Sequence, residues 1–252
     1  MPAFFTPDDG ALVPHPDARG PWAEDMMHGR LLAGLAAWAV ERDHGEPGFT
    51  PVRLTVDLYK NPRMEPTTVA TTLVRAGGRV RAADAVLQVG GVEVARASTL
   101  WLRQSEPPED DAPHTPTWDA IDPEASEVEF GGSFEVRSVG GRAFGARMPR
   151  RSWLRDTREL VAGAATTPFV RAALAADFAS PLANSSSTGL DYINADLTLH
   201  LGRLPVGEWI GIDVAERVAS DGVSVASCRF HDGDGPIGWS SVCAVRNARM
   251  SP

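Results

Sequence analysis

The chain has 252 residues, of which 43% are apolar and 23% charged, a globular balance that excludes a disordered or membrane-embedded protein. No run of about 18 apolar residues exists to span a bilayer, and the N-terminus MPAFFTPDDGALVP has no basic segment ahead of an apolar core. The net charge of −9 argues against a nucleic-acid partner, because phosphate binding needs clustered basic surface. A cytoplasmic protein without a membrane or nucleic-acid partner is the expectation.

In chain order, the first strong element is HGRLLAGLAAWAVERD, where Leu31, Leu32, Leu35, Trp38 and Ala39 fall on helical spacing. Its middle is apolar on nearly every side, as in a helix wrapped by other structure. Gly34 costs helix propensity, and close approach to a sheet is the expected reason for it. RLTVDLYKNP follows, an alternating strand with Leu54, Val56 and Leu58 on one face. Residues 104–125 are rich in Pro and acid and lack any period, which reads as a linker. FEVRSVGG then reads as the first strand of a second half. The basic cluster from Arg147 to Arg155 reads as a solvated rim rather than a phosphate site.

TTPFVRAALAADFAS is the second helix, with Thr167 as N-cap and Pro168 at the first helical position. DLTLHLGRLP repeats the earlier strand, with Leu197, Leu199 and Leu201 on one face and Asp196, Thr198 and His200 on the other. Cys228 and Cys243 flank the turn DGDG out of register with each other, so two free, buried thiols are expected.

The two strands are copies. Arg53 and Asp196 stand 143 residues apart, as do Pro62 and Pro205, and GGVEVARASTLWLR lies over GDGPIGWSSVCAVR at the same offset. A duplicated half, each with one helix and several antiparallel strands, explains that order. The predicted class is α+β: a double hotdog of two tandem curved antiparallel sheets, each around a central helix. The halves run over residues 1–103 and 126–252.

HGRLLAGLAAWAVE, NADLTLHLGRLPVGEW and DGDGPIGWSSVCAV together resemble the acyl-CoA thioesterase II family of double-hotdog proteins. The resemblance implies hydrolysis of an acyl-CoA or related thioester, no cofactor, and a homo-oligomer, dimeric or larger. It also implies a carboxylate in one half that activates water, facing backbone amides at a helix start in the other half. Asp196 matches the family's aspartate by position. His28, Gly29 and Arg30 are the expected oxyanion and substrate-binding residues at the first helix start. The family's accompanying Ser or Thr falls near Glu216 or Ser220, and its Gln falls on Ser241 or Val242; no Gln occurs in the second half. That departure keeps a non-catalytic acyl-CoA or acyl-chain binding protein as the alternative. Arg53, at the position equivalent to Asp196, cannot be a base; it pairs with a CoA phosphate or is a solvated charge. No G-x-S-x-G elbow and no H-E-x-x-H motif occurs, so neither a serine hydrolase nor a metal site is expected.

Overall fold

The computed structural model describes residues 1–109, 112–119, 122–147 and 149–247. Parts of the expected linker (110–111 and 120–121), Met148 of the basic cluster and the last five residues lie outside the described residues.

The first half contains β1 (Phe5–Asp8), β2 (Ala11–Pro14), α1 (Arg30–His44), β3 (Phe49–Leu58), β4 (Thr67–Ala76), β5 (Val80–Val89) and β6 (Val92–Arg103). The second contains β7 (Glu127–Phe130), β8 (Phe134–Ser138), β9 (Arg151–Asp156), α2 (Pro168–Ala176), α3 (Ala179–Asn184), β10 (Ser185–Ser186), β11 (Gly189–Leu190) and β12 (Tyr192–Asn194). It closes with β13 (Asp196–Leu201), β14 (Ile210–Ser220), β15 (Val223–Asp232) and β16 (Gly235–Arg246). The second half therefore opens with β7, one strand earlier than the sequence suggests. The N-terminal hairpin, which the sequence did not announce, ties the halves together. Phe4 and Phe5 are buried, and their N–H groups donate to the carbonyls of Glu159 and Leu160.

Among the described residues one 14-stranded antiparallel sheet runs β1-β2-β4-β5-β6-β3-β13-β16-β15-β14-β9-β8-β7, with β12 also paired to β16. The two copied strands, β3 and β13, meet at its centre. Thr55 lies opposite Thr198, its own equivalent in the repeat, with hydroxyls 3.2 Å apart. A local twofold axis therefore passes through that pair, setting Asp57 opposite Asp196 and Arg53 opposite His200. The halves join edge to edge, so Leu54, Val56, Leu197 and Leu199 face one shared core while Asp196 and Thr198 face outward.

Helices α1 and α2 pack against each other on the inner side. Burial of Leu31, Leu32, Leu35, Phe169, Val170 and Leu174 makes this the centre of a core that spans both halves. Gly34 is small for a reason other than contact with a sheet: a β-carbon there would stand 2.5 Å from Leu174 Cδ2 and 3.1 Å from Leu160 Cδ2. It sets the helix–helix distance. The second helix is shorter than its apolar run. Pro181 has no N–H for the carbonyl of Asp177, four residues earlier, and the run breaks at Asp177–Phe178 into α2 and α3.

Two sequence expectations change here. Cys228 is buried, but Cys243 lies on the outer face of β16 and is exposed; burial pushes the Cys228 thiol above its ordinary range. The basic cluster is only partly solvated: Arg147 is exposed, while Arg150 and Arg155 are engaged internally. Arg150 donates to the carbonyls of Ala146, Leu182 and Ala183, and Arg155 pairs with Glu135 at 2.8 Å.

Gly34→Ala gains helix propensity of about 1 kcal/mol yet overpacks a filled core, which typically costs ~1–3 kcal/mol. A net fall in unfolding free energy is expected by denaturant titration. The loss should shrink when Leu174→Ala is present in the same chain, as a double-mutant cycle would measure.

Candidate active site

Helix α1 begins at a crowded point. Gly29 is its N-cap, and the His28 and Gly29 carbonyls accept from the N–H groups of Leu31 and Leu32 at 3.0 Å each. Among the described residues the Gly29 N–H has no hydrogen-bond partner, and it lies at the positive end of the helix.

The carboxylate that faces this helix start is Asp177. Its two oxygens lie 3.7 and 3.9 Å from where a Gly29 β-carbon would be, which puts the carboxylate in van der Waals range of the helix start. Asp177 is the C-cap of α2, still helical in its own backbone, and sits where that helix packs on α1. Asp177 accepts from Asn194 Nδ2 at 2.7 Å, and Asn194 ends β12 just before the copied strand. Burial raises the Asp177 pKa; the Asn194 hydrogen bond, the Arg30 charge and the Arg30 backbone N–H oppose that rise.

Two cavities meet at Asp177. The larger, about 670 Å³, is bounded by His28, Phe130, Phe134, Phe144, Phe178 and the β10–β11 hairpin. The smaller, about 210 Å³, is bounded by Gly29, Leu32, Tyr59, Lys60, Asn61 and Val245. Trp22, Asp177 and Asn194 border both. A molecule with two arms joined at a polar centre fits that plan, with its centre against the carboxylate and the helix start.

His28 is packed between Phe178, ring centroids 6.1 Å apart and stacked, and Phe134, 5.9 Å and edge-on. Burial, with Arg30 nearby, lowers its pKa to about 3, so it is a neutral imidazole across the physiological range. Arg30 does not line the site. Its guanidinium is buried, pairs with Asp156 of β9, and sits over the rings of Phe4, Phe134 and Phe178 at 5.7, 5.0 and 5.5 Å.

The other expected residues lie elsewhere. Asp196 is on the outer face of β13, where it accepts from the Cys243 N–H at 2.6 Å and opposes Asp57. The expectation that the partner half would cover this face fails because that half adds beside the strand, through β3. Ser241 is on the same outer face, opposite Thr198, while Val242 points inward and is buried. Glu216 and Ser220 are exposed on β14, and Ser220 bonds to the adjacent Asp221 at 2.9 Å. The structure thus gathers His28 and Gly29, and leaves Asp196, Ser241, Glu216 and Ser220 outside both cavities. Asp177 and Asn194 were missed. The available signal was an acid inside an apolar helical run four residues ahead of a proline. Among the described residues no His, Cys, Asp and Glu cluster could hold a metal ion, and no helix is long and apolar enough to cross a membrane.

Two family models match the chain: one for an acyl-CoA thioesterase N-terminal domain over residues 18–102, and one for an acyl-CoA thioesterase C-terminal domain over residues 103–241. No curated protein gives a significant match. Among solved structures, a Novosphingobium aromaticivorans protein described as a candidate thioesterase is 17% identical, with a TM-score of 0.76 over 98% of this chain and 100% of that one. The tesB protein of Mycobacterium avium subspecies paratuberculosis is 15% identical, with a TM-score of 0.69 over 94% and 93%. An Alicyclobacillus acidocaldarius protein with a hot dog fold is 15% identical, with a TM-score of 0.72 over 90% and 89%. At these identities the likeness to the structures is one of fold.

The neutral histidines carry a pH signature. Burial also lowers the His231 pKa, to about 4; this residue is enclosed beneath Trp118, ring centroids 5.0 Å apart. Both histidines bind protons in the unfolded chain at a pH where the folded chain binds none. Stability from them is therefore complete above about pH 6.5 and is lost as pH falls toward 4 and then 3. The raised Asp177 acts in the opposite direction. The expected result is a Tm that drops between pH 6.5 and 4.5, with a shallower drop in a His28→Gln/His231→Gln variant. NMR should find both imidazoles neutral at pH 5.

Proposed function

The chain belongs to the acyl-CoA thioesterase family, and on that footing we propose that it hydrolyses an acyl thioester where the two cavities meet. The observation that carries this reading is the Asp177 carboxylate set against the start of α1 between two separate cavities. The acyl group occupies the larger cavity and the thiol arm, that of CoA, the smaller one. Asp177 takes a proton from water as the oxygen attacks the thioester carbonyl, and its burial strengthens it as a base. Charge developing on the carbonyl oxygen is met by the Gly29 N–H and the positive end of α1. The C–S bond then breaks, and the proton returns from Asp177 to the thiolate. Asn194 orients the carboxylate, while neutral His28 lines the acyl side without placing a cation beside the carboxylate. Asp196 is not needed in this scheme.

We take the architecture to be a double hotdog, with units at residues 1–103 and 126–252 joined by the segment 104–125. The opposition of Thr55 and Thr198, equivalents in the repeat, supports that division.

One observation favours a binding module without catalysis. Asp177 is already tied to Asn194 and the Arg30 amide, which is the posture of a helix cap. Thiol release from a panel of acyl-CoA esters separates the two readings. Hydrolysis predicts release that falls by roughly 10²- to 10⁴-fold in Asp177→Asn and changes little in Asp196→Asn. No release from the parent chain, or equal release from the parent and Asp177→Asn, would reject it.

Self-association is part of the same proposal. Val218, Val225 and Cys243 lie side by side across β14, β15 and β16 on the outer face, with Val223 and Val245 beside them, and all five are exposed. Such a patch suits burial against a second copy. Light scattering should find a dimer or larger, shifted toward monomer by Val225→Lys.

A further inference from the structure

The lining of the larger cavity is unlike that of a channel for an alkyl chain. A methylene chain gains from burial alone and is suited by aliphatic walls. Here a single described lining residue, Leu190, is a Leu, Ile, Val or Met. The apolar surface is instead aromatic and arranged in pairs. Phe130 and Phe144 meet edge to face, 5.1 Å apart at 90°, and Phe134 and Phe178 do the same at 5.1 Å and 72°. Trp22 and Tyr192 complete the wall. The facing side is the β10–β11 hairpin, where the Ser186 and Thr188 hydroxyls bond to each other at 2.8 Å. That surface rewards no long alkyl chain.

Resting on the hydrolytic reading above, we propose that this cavity selects an aromatic acyl group, of the arylacetyl or aroyl thioester class, over an unbranched alkyl one. A flat ring among paired rings gains edge-to-face and offset contacts beyond its buried area. A cavity of about 670 Å³ admits a ring and its substituents without needing a narrow bore. Phe134 and Phe178 serve twice, since they also hold the Arg30 guanidinium. Neither Phe130 nor Phe144 is among the rings on that cation, although Phe144 packs against the core. Phe130 is exposed and Phe144 half-buried, so these two are the rings to vary.

The test compares kcat/KM for phenylacetyl-CoA and benzoyl-CoA with that for hexanoyl-, octanoyl- and palmitoyl-CoA on the full chain. The aryl esters should be preferred by about tenfold. Phe130→Leu and Phe144→Leu should each lower the aryl-to-alkyl ratio of kcat/KM by roughly two- to tenfold, the span of one ring–ring contact. Equal or better use of octanoyl-CoA, or a parallel loss on both classes in the two variants, would overturn the assignment while leaving hydrolysis intact. If no ester is cleaved, the hydrolytic reading fails by itself, and calorimetric titration with the intact esters decides the cavity. Tighter binding of phenylacetyl-CoA than of octanoyl-CoA upholds the aromatic selection, and the reverse order removes it.

Discussion

The start of helix α1 is fixed by one buried cation. Arg30 sits on that helix, but its guanidinium crosses to Asp156 of β9 and is enclosed by Phe4, Phe134 and Phe178, which come from the N-terminal segment and the second half. Desolvating such a pair costs nearly as much as its attraction returns, so it adds little net stability. Its effect is on position. An unpaired charge at this depth is costly, which favours the docking of α1 that sets Gly29 beside Asp177 and the smaller cavity.

The repeat generates a second contact of the same kind, put to a different use. Helices α1 and α2 each deliver an acid near their C-termini to the start of the other. At one end Asp177 meets Gly29; at the other Glu41 meets Thr167, the N-cap of α2. Burial raises the pKa of both acids. The Thr167 hydroxyl donates to Glu41 directly and also accepts from the Val170 N–H at 3.2 Å, so that junction is closed by its own hydrogen bonds. Gly29 brings no side chain, and its junction stays open to ligand. A threonine against a glycine at equivalent helix starts separates a structural cap from a candidate reaction site.

Much of this was legible in the sequence because it is periodic. The apolar run of α1, the alternation in β3 and β13 and the constant offset between the halves are patterns that backbone geometry imposes on side-chain type. Of the candidate site, the sequence pointed only to His28 and Gly29, which border its two cavities. Alternation says that Asp196 faces away from the leucines, but not what lies beyond that face. Because the halves add edge to edge, what the other half sets beside Asp196 is its own edge strand, with Asp57 opposite, rather than a helix start. Asp177 was hidden in a run that reads as uninterrupted helix. It stands at the break between α2 and α3, ahead of Pro181, a local feature that a periodicity argument averages away.

The seam between β3 and β13 also gives the tether between the halves an importance of its own. Since equivalent positions face each other across the local axis, either strand is shaped to pair with its own kind. A β13–β13 union would set Asp196 across from His200, and a β3–β3 union would set Arg53 across from Asp57. Both matches are kinder electrostatically than the carboxylates of Asp57 and Asp196 brought opposite one another in the chain as it stands. At this seam alone, severed halves would gain by sorting into like-with-like couples, each holding two copies of Asp177 or two of Gly29 but never one of each, at the loss of the Arg30–Asp156 pair. Covalent continuity and that buried pair together enforce the mixed marriage.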